Sequence, residues 1–500
     1  MQTSKNTPTS DIKKDLFGRY VLTASPPKTL DTKSIALILN DVIPLHDINS
    51  KDIEYLRNFY RGNQPILYRE KPIRPEIKNT VLENRAFEIV EFKKGYEFSN
   101  PVQYTNVSNK ESAPVDTLNT YARVDGKESK DLKLAEWFYI AGTSYRICLP
   151  KEKPTVDDAP FYTMSLDPRY TFVVYSNEVD KRKLFSGTYV KYEEEWIFGI
   201  YTDDYYFTWT VEKPTDDFTK AKSSRTVNTL KMNPIVEYPL NEARLGYVEL
   251  CLHLFNAINT TGSNRIDGLE QFVQSLLVFI NCELPTDKNG KKEVPRSGDA
   301  IDVKSYNSGF PADVKYLVSQ LNQNDAQVTK EDLLNALYEI SGVPSRADRR
   351  SGGDTGQAVI LRDGWGAAEA RAKSTEKMFK EAEMNFLKIV LKICRTSVLS
   401  AEKIKDLTLH DIDVKCNRNR SDNMQVKAQT LQTLLNCGVH PEEAYNTSDL
   451  FGDALGVWEK SKVWQDTNVE WVANKLRMGR KLKGEESSGE GDFFDGDISN

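Results

Sequence analysis

The chain has 500 residues and a mass of 56.9 kDa, more than one ordinary core holds, and its length points to about three domain-sized units. Its 73 Asp and Glu outnumber 67 Lys and Arg by six, and six acids (Glu485, Glu486, Glu490, Asp492, Asp495, Asp497) lie within 484–500, a stretch with no base. Residues 1–483 are therefore formally neutral, which excludes the strongly basic balance of a protein that grips nucleic acid through many phosphates, though not one that lets DNA pass.

A mean hydropathy of −0.55 with 39% hydrophobic residues suits a chain that builds its cores in water. Its most apolar run, FVQSLLVFI over 272–280, falls far short of the ~20 residues that span a bilayer. The opening MQTSKNTPTSDIKKDLFGRY is polar throughout and reads as no secretory signal. Cys148, Cys251, Cys282, Cys394, Cys416 and Cys437 lie far apart with no CxxC pair. That is the usage of structural thiols in a reducing compartment, so cytosolic assembly is expected.

Residues 1–30, rich in Ser, Thr, Pro and Lys, read as a mobile arm. In DIEYLRNFYRG, Ile53, Leu56 and Tyr60 share a helical face, and Gly62 supplies the stop. From 79 to 239 the pattern predicts short strands and hairpins. TFVVYSNEVDKRKLFSGTYVKY and EEEWIFGIYTDDYYFTWTVEKP alternate aromatic or β-branched residues with polar ones. After NPIVEYPLNEARLG, Leu250, Leu254, Ile258, Ile266, Leu269, Phe272, Val273 and Leu276 predict a helix over 247–280, with a bend allowed at Thr260, Thr261 and Gly262. A loop-and-strand module follows, in which Lys288, Lys291, Lys292, Arg296, Lys304 and Lys315 balance six acids. Thr329 predicts the N-cap of a second helix with Leu333, Leu334, Leu337 and Ile340 on its apolar face, ended by SGVP. A polar, Gly-rich loop spans 345–366. Phe379, Ala382, Phe386, Ile389, Val390 and Ile393 then mark a long helix over 367–395, ~43 Å at 1.5 Å per residue, which needs neighbours along it. LTLHDIDVKCNRN predicts a strand, 421–438 a helix from Ser421 to a Gly438 stop, and Pro441 the first turn of another.

Enzyme signatures are sparse. No G-x-x-x-x-G-K-[ST] phosphate loop occurs, and SGGDTG at 351–356 lacks both the following Lys and a preceding apolar strand. On a strand, Asp411 and Asp413 of HDID share one face, a half-exposed pattern. His46, His253, His410 and His440 are isolated, and there is no G-x-S-x-G elbow. No catalytic residue, metal or cofactor is assigned. Arg346, Arg349, Arg350 and Arg362, with Asp348, Asp354 and Asp363 nearby, form either a solvated near-neutral loop or one that touches phosphates transiently. The aromatics of 201–209, alternating and flanked by acids, read as packing residues rather than base stackers.

The order of these parts, an α+β half, a long helix, a small β insertion, a second helix, a Gly-rich loop, a long helix and a helical end, resembles the portal proteins of tailed double-stranded DNA bacteriophages, siphophage type. IEYLRNFYRGNQPILYR, VLENRAFEIVEFKKGYEFSNPVQY, NPIVEYPLNEARLGYVELCLHLFNAINTTGSNRIDGLEQFVQSLLVF and LYEISGVPS carry the resemblance in sequence order over roughly 50–455. Ser99 and Asn100 replace a usual glycine.

The resemblance implies a homododecameric, non-enzymatic ring at one capsid vertex, through which double-stranded DNA passes without sequence specificity. It implies a wing over 31–246, stem helices over 247–280 and 324–344, and a clip over 281–323. A tunnel loop over 345–366, a long wing helix and strand over 367–420 and a crown over 421–476 follow, with 477–500 as an acidic tail. Arg346, Arg349, Arg350, Gln357 and Arg362 would face the channel, and Lys288, Lys291, Lys292 and Arg296 would dock partners. Those partners would be the terminase large subunit, the head–tail adaptor and the major capsid and scaffolding proteins, with no membrane. The rival readings are a DNA-processing enzyme, either a nuclease or the packaging ATPase, and a neck or collar protein outside the DNA path.

Overall fold

The computed structural model describes residues 17–72, 75–107, 113–273, 276–282, 309, 311–317, 323–344, 364–398, 400–416, 418, 424–448, 450–451 and 454–468. Strand β1 (Leu22–Ala24) and helix α1 (Thr32–Tyr60) come first, then α2 (Arg85–Phe98), β2 (Gln103–Asn106), α3 (Ala113–Val124) and α4 (Lys127–Ala141). A run of strands follows: β3 (Thr143–Pro150), β4 (Phe161–Leu166), β5 (Thr171–Ser176), β6 (Lys183–Tyr192), β7 (Glu195–Tyr201), β8 (Tyr205–Val211), β9 (Lys222–Val227) and β10 (Ile235–Pro239). Next are α5 (Tyr247–Leu250), α6 (Leu252–Val273), β11 (Leu276–Ile280), β12 (Asp313–Leu317) and α7 (Gln323–Ser341). A long helix over Trp365–Thr396, a short one over Glu402–Lys405, β13 (Ile412–Lys415) and helices over Met424–Asn436, Pro441–Ser448 and Ala454–Thr467 complete an α+β chain. No helix among the described residues is long and apolar enough to cross a membrane.

The chain divides into two compact units. The first comprises 1–95, 130–148 and 164–382. Its core lies between α1 and a six-stranded sheet of order β1-β5-β6-β7-β8-β9, antiparallel except for β1 beside β5. Alternate residues Phe172 and Val174, Phe198 and Ile200, and Phe207 and Trp209 point at Ile35, Leu39, Val42 and Ile43 of α1. Each such side chain contributes about 1.5–3 kcal/mol by leaving water. That burial offsets Pro44 inside α1, a residue that removes one backbone hydrogen bond.

The second unit comprises 96–129, 149–163 and 383–500. Here β13 pairs with β2, and the helix over Pro441–Ser448 joins its neighbours through Tyr445, whose ring lies 5.6 Å from Phe451 and 5.9 Å from Trp458. Its interior holds a charge: Glu383, fully buried, accepts from the Tyr104 hydroxyl (2.7 Å) and pairs with Lys127 (2.9 Å), which lies over the Tyr104 ring.

Several expectations are corrected. Within 79–239 the structure has α2, α3 and α4 as well as strands. Phe87, Ile89, Val90 and Phe92 of α2 and the run WFYIA ending α4 are strand formers by propensity, and the burial of Ile89, Val90, Phe138, Tyr139 and Ile140 overrides that preference. The helix expected over 247–280 breaks at Cys251 rather than at 260–262, runs unbroken to Val273, and gives way to β11. LLVFI is a short apolar run whose periodicity suits either state, and its pairing with β12 decides it. Thr329 is not the cap of α7, which begins at Gln323; its hydroxyl donates to the Asp325 carbonyl inside the helix. HDID is not all strand: 409–411 is a 3-10 turn, and Asp411 accepts from the Thr408 amide and hydroxyl (3.1 and 2.6 Å).

Glu383→Ala strands the buried Lys127 ammonium, and the second unit is expected to lose about 3–5 kcal/mol. The double change Glu383→Leu with Lys127→Met should cost far less, because no charge is left behind. Chemical unfolding of both variants checks the difference, and equal losses would show that the pair's charge is not what matters.

Candidate functional site: a sheet-to-helix junction and the helix pair it carries

The chain passes from sheet to helix through NEARLG (241–246), and the junction is built on one carboxylate. Glu237 of β10, opposite Tyr145 of β3, accepts from Arg244 Nε (2.7 Å) and Nη2 (3.0 Å), the Tyr175 hydroxyl (2.7 Å) and the Thr143 hydroxyl (2.9 Å). Burial alone would raise its pKa. The Arg244 guanidinium, helped by the two hydroxyls, reverses that and holds Glu237 below the usual glutamate value. Arg244 takes a left-handed backbone (φ 54°), and its bidentate pair with Glu237 holds that conformation. The loop is pressed against residue 142, where any side chain would come within 2.2 Å of the Arg244 carbonyl, so only glycine fits.

An N-terminal segment closes the junction from the other side. The Arg19 amide donates to the Ala243 carbonyl (3.0 Å), and its guanidinium pairs with Glu249 and with Asp52 of α1. The Gly18 amide also reaches Glu249 (2.7 Å), and Tyr20 and Asn49 exchange two hydrogen bonds. His46, packed on Phe172 and Tyr189, is buried beside them.

Beyond the junction, α6 packs on α7 and is held by an extended strap. The amides of Asn79, Val81 and Glu83 donate to Asp267 (2.8 Å), Ser263 (3.0 Å) and Asn259 (2.9 Å). Two strand residues advance about 6.6 Å and four helix residues about 6.0 Å, so every second strap amide meets every fourth helix side chain. Asp267, which burial would raise, is held below its usual pKa by Lys71 and Asn79. The signal N-x-x-x-S-x-x-x-D lay in the sequence as a polar stripe on an apolar helix and was not read there.

The helix pair exposes little positive charge. Lys330 is the sole base of α7 and pairs with Glu83, while Asp325, Asp332 and Glu339 stand exposed at seven-residue intervals. Arg265 donates to Gln327 (2.8 Å). Ile266, Leu269 and Val328 are exposed apolar positions on the same pair.

Contacts between flanking residues bracket two stretches of the chain. Ile280 pairs with Asp313, which brackets 281–312, and Gly364 lies against Pro344, which brackets 345–363. Arg371 of the long helix donates to the Ile340 carbonyl, closing the end of α7. Its side chain rests on Gly342 (φ 66°), where any side chain would meet it at 2.5 Å. Arg346, Arg349, Arg350, Gln357 and Arg362, and Lys288, Lys291, Lys292 and Arg296, lie outside the described residues.

Among the described residues no group of three or more His, Cys, Asp and Glu is placed to hold a metal ion. Burial pushes the Cys251 and Cys394 thiols up to about 12, which leaves neither as a thiolate near neutral pH. Phe207 and Trp209 are fully buried, as packing residues should be.

Burial lowers His46 from 6.5 to about 4, against weaker pulls from the Arg169 carbonyl and Asp47. Its contribution to stability is complete above pH 6.5 and is lost as the pH falls to about 4, because the unfolded chain takes up the proton first. The full effect is about 3 kcal/mol. His46→Gln should flatten the stability profile across that window, which pH-dependent urea titrations measure; an unchanged slope would remove His46 as its source.

The model of one protein family, described as phage portal protein, SPP1 Gp6-like, matches residues 40–446. No curated protein matches the chain.

Proposed function

The chain belongs to the phage portal protein family, and from that membership we propose that its copies close into a ring at one capsid vertex, around a bore through which double-stranded DNA is packaged and ejected. The family match over most of the chain carries this reading. A portal is a structural component of the virion, and the work asked of this chain is positioning and not bond chemistry.

On this reading α6 and α7 are stem helices, and the junction at Glu237 sets the angle at which they leave the sheet. The exposed acids of α7 support a wall that DNA slides past, since each firm phosphate contact would act as a brake. Exposed Ile266, Leu269 and Val328 suit the head-to-tail contacts by which a ring closes. Residues 281–323, including the segment bracketed by Ile280 and Asp313, are the clip, where Lys288, Lys291, Lys292 and Arg296 meet the terminase large subunit and later the head–tail adaptor. Residues 345–366 are the tunnel loop, carrying Arg346, Arg349, Arg350, Gln357 and Arg362 to the bore. The major capsid and scaffolding proteins are the remaining partners. Twelve copies and host-cytoplasmic assembly belong to the same proposal.

Purified protein should give electron-microscope class averages of a ring with a central opening and a particle mass of about twelve chains. A monomer, or a ring without an opening, would overturn the reading.

A quadruple Ala change at Arg346, Arg349, Arg350 and Arg362 should leave rings intact and reduce packaged DNA several-fold. Normal packaging by that variant would sink the role given to the loop.

A further inference from the structure

A polar cavity lies against the junction, with Arg19, His46, Asn49, Tyr175, Glu237 and Arg244 in its wall. Two of these residues carry buried polar atoms that meet no hydrogen-bond partner: Nε and Nη1 of Arg19, a residue 5% exposed, and Nε2 of His46, 2% exposed; of the three, Nη1 still lies 3.3 Å from the Asp52 carboxylate as an ion pair. Buried polar groups in folded proteins are almost always satisfied, so Arg19 Nε and His46 Nε2, on two residues that line one cavity, point to a ligand.

The chemistry of the wall narrows what that ligand is. Arg19 Nε can only donate. His46 faces the Arg169 carbonyl and stays neutral near pH 7, which leaves Nε2 as the acceptor. The ligand must therefore accept at one point and donate at another, which excludes a bare metal cation. Arg19 and Arg244 are outnumbered by Glu237, Glu249 and Asp52, the carboxylates they pair with. Lys183, whose charge also acts on Glu237, brings the count to three against three, so no surplus positive charge is left to hold an anion. The cavity leaves about 10 Å³ for the centre of a water-sized body, about the room one water needs.

We propose that this cavity is a binding site for a single structural water, which donates to His46 Nε2 and accepts from Arg19 Nε. The water joins the N-terminal segment to α1 beside the Glu237–Arg244 pair. It satisfies both atoms without adding charge to a site already balanced by ion pairs.

A cryo-electron-microscopy map of the assembled full-length protein, at a resolution that shows waters, should contain one peak within hydrogen-bond distance of both atoms. An empty cavity would overturn the proposal. So would a peak that contacts only one of them. His46→Phe supplies a second readout at pH 7, since it keeps the ring packing on Phe172 and Tyr189 and leaves the Arg169 carbonyl bonded to the Tyr189 hydroxyl. If the water is bound, the variant should melt about 2–4 °C lower. A dry cavity predicts an equal or higher midpoint, because an unpaired polar atom has been removed.

Discussion

Everything that follows the sheet in the first unit hangs on the buried Glu237–Arg244 pair. A carboxylate inside a protein is unfavourable unless its oxygens are occupied, and Glu237 fills them with Arg244, Tyr175 and Thr143. The requirement runs both ways. Arg244 satisfies Glu237 from a left-handed backbone, and its carbonyl then lies where any side chain at 142 would collide. One ion pair thus specifies a loop conformation, a glycine and the direction in which α5 departs. Breaking it would cost stability, but the larger loss would be directional.

The N-terminal segment belongs to the same system. Arg19 places its charge against Glu249 of α5 and Asp52 of α1, so the position of the first helix is tied to the start of the helical half. The contact with Glu249 joins residues 230 positions apart in the chain. Local propensity has no means of announcing it.

What could be read from the residues alone follows the same line. The hairpins of β5 to β8 were plain because alternation is local, and the long helix was plain because its apolar spacing persists over many turns. Helices α2 and α4 were hidden: Ile89, Val90 and WFYIA favour strands, and only the surrounding core makes them helical. LLVFI went the other way, since five apolar residues carry too short a period to choose. The order of the parts pointed to the portal family, yet the junction stayed dark. Glu237 in NPIVEYP resembles any strand acid until Arg244 is seen turned back onto it. The basic residues first singled out as a site lie outside the described residues, and their roles rest on family position and not on geometry.

The strap along α6 carries a mechanical consequence. Its repeat and the helical repeat differ by roughly 0.6 Å per rung, an error that three rungs absorb and a longer ladder would not. The strap is therefore a vernier that reads in register at one setting. A small axial slip of α6 unseats the bonds at Asn259, Ser263 and Asp267 together, and the next comparable setting lies a full turn away. Under load such a helix holds its place or steps; it does not creep.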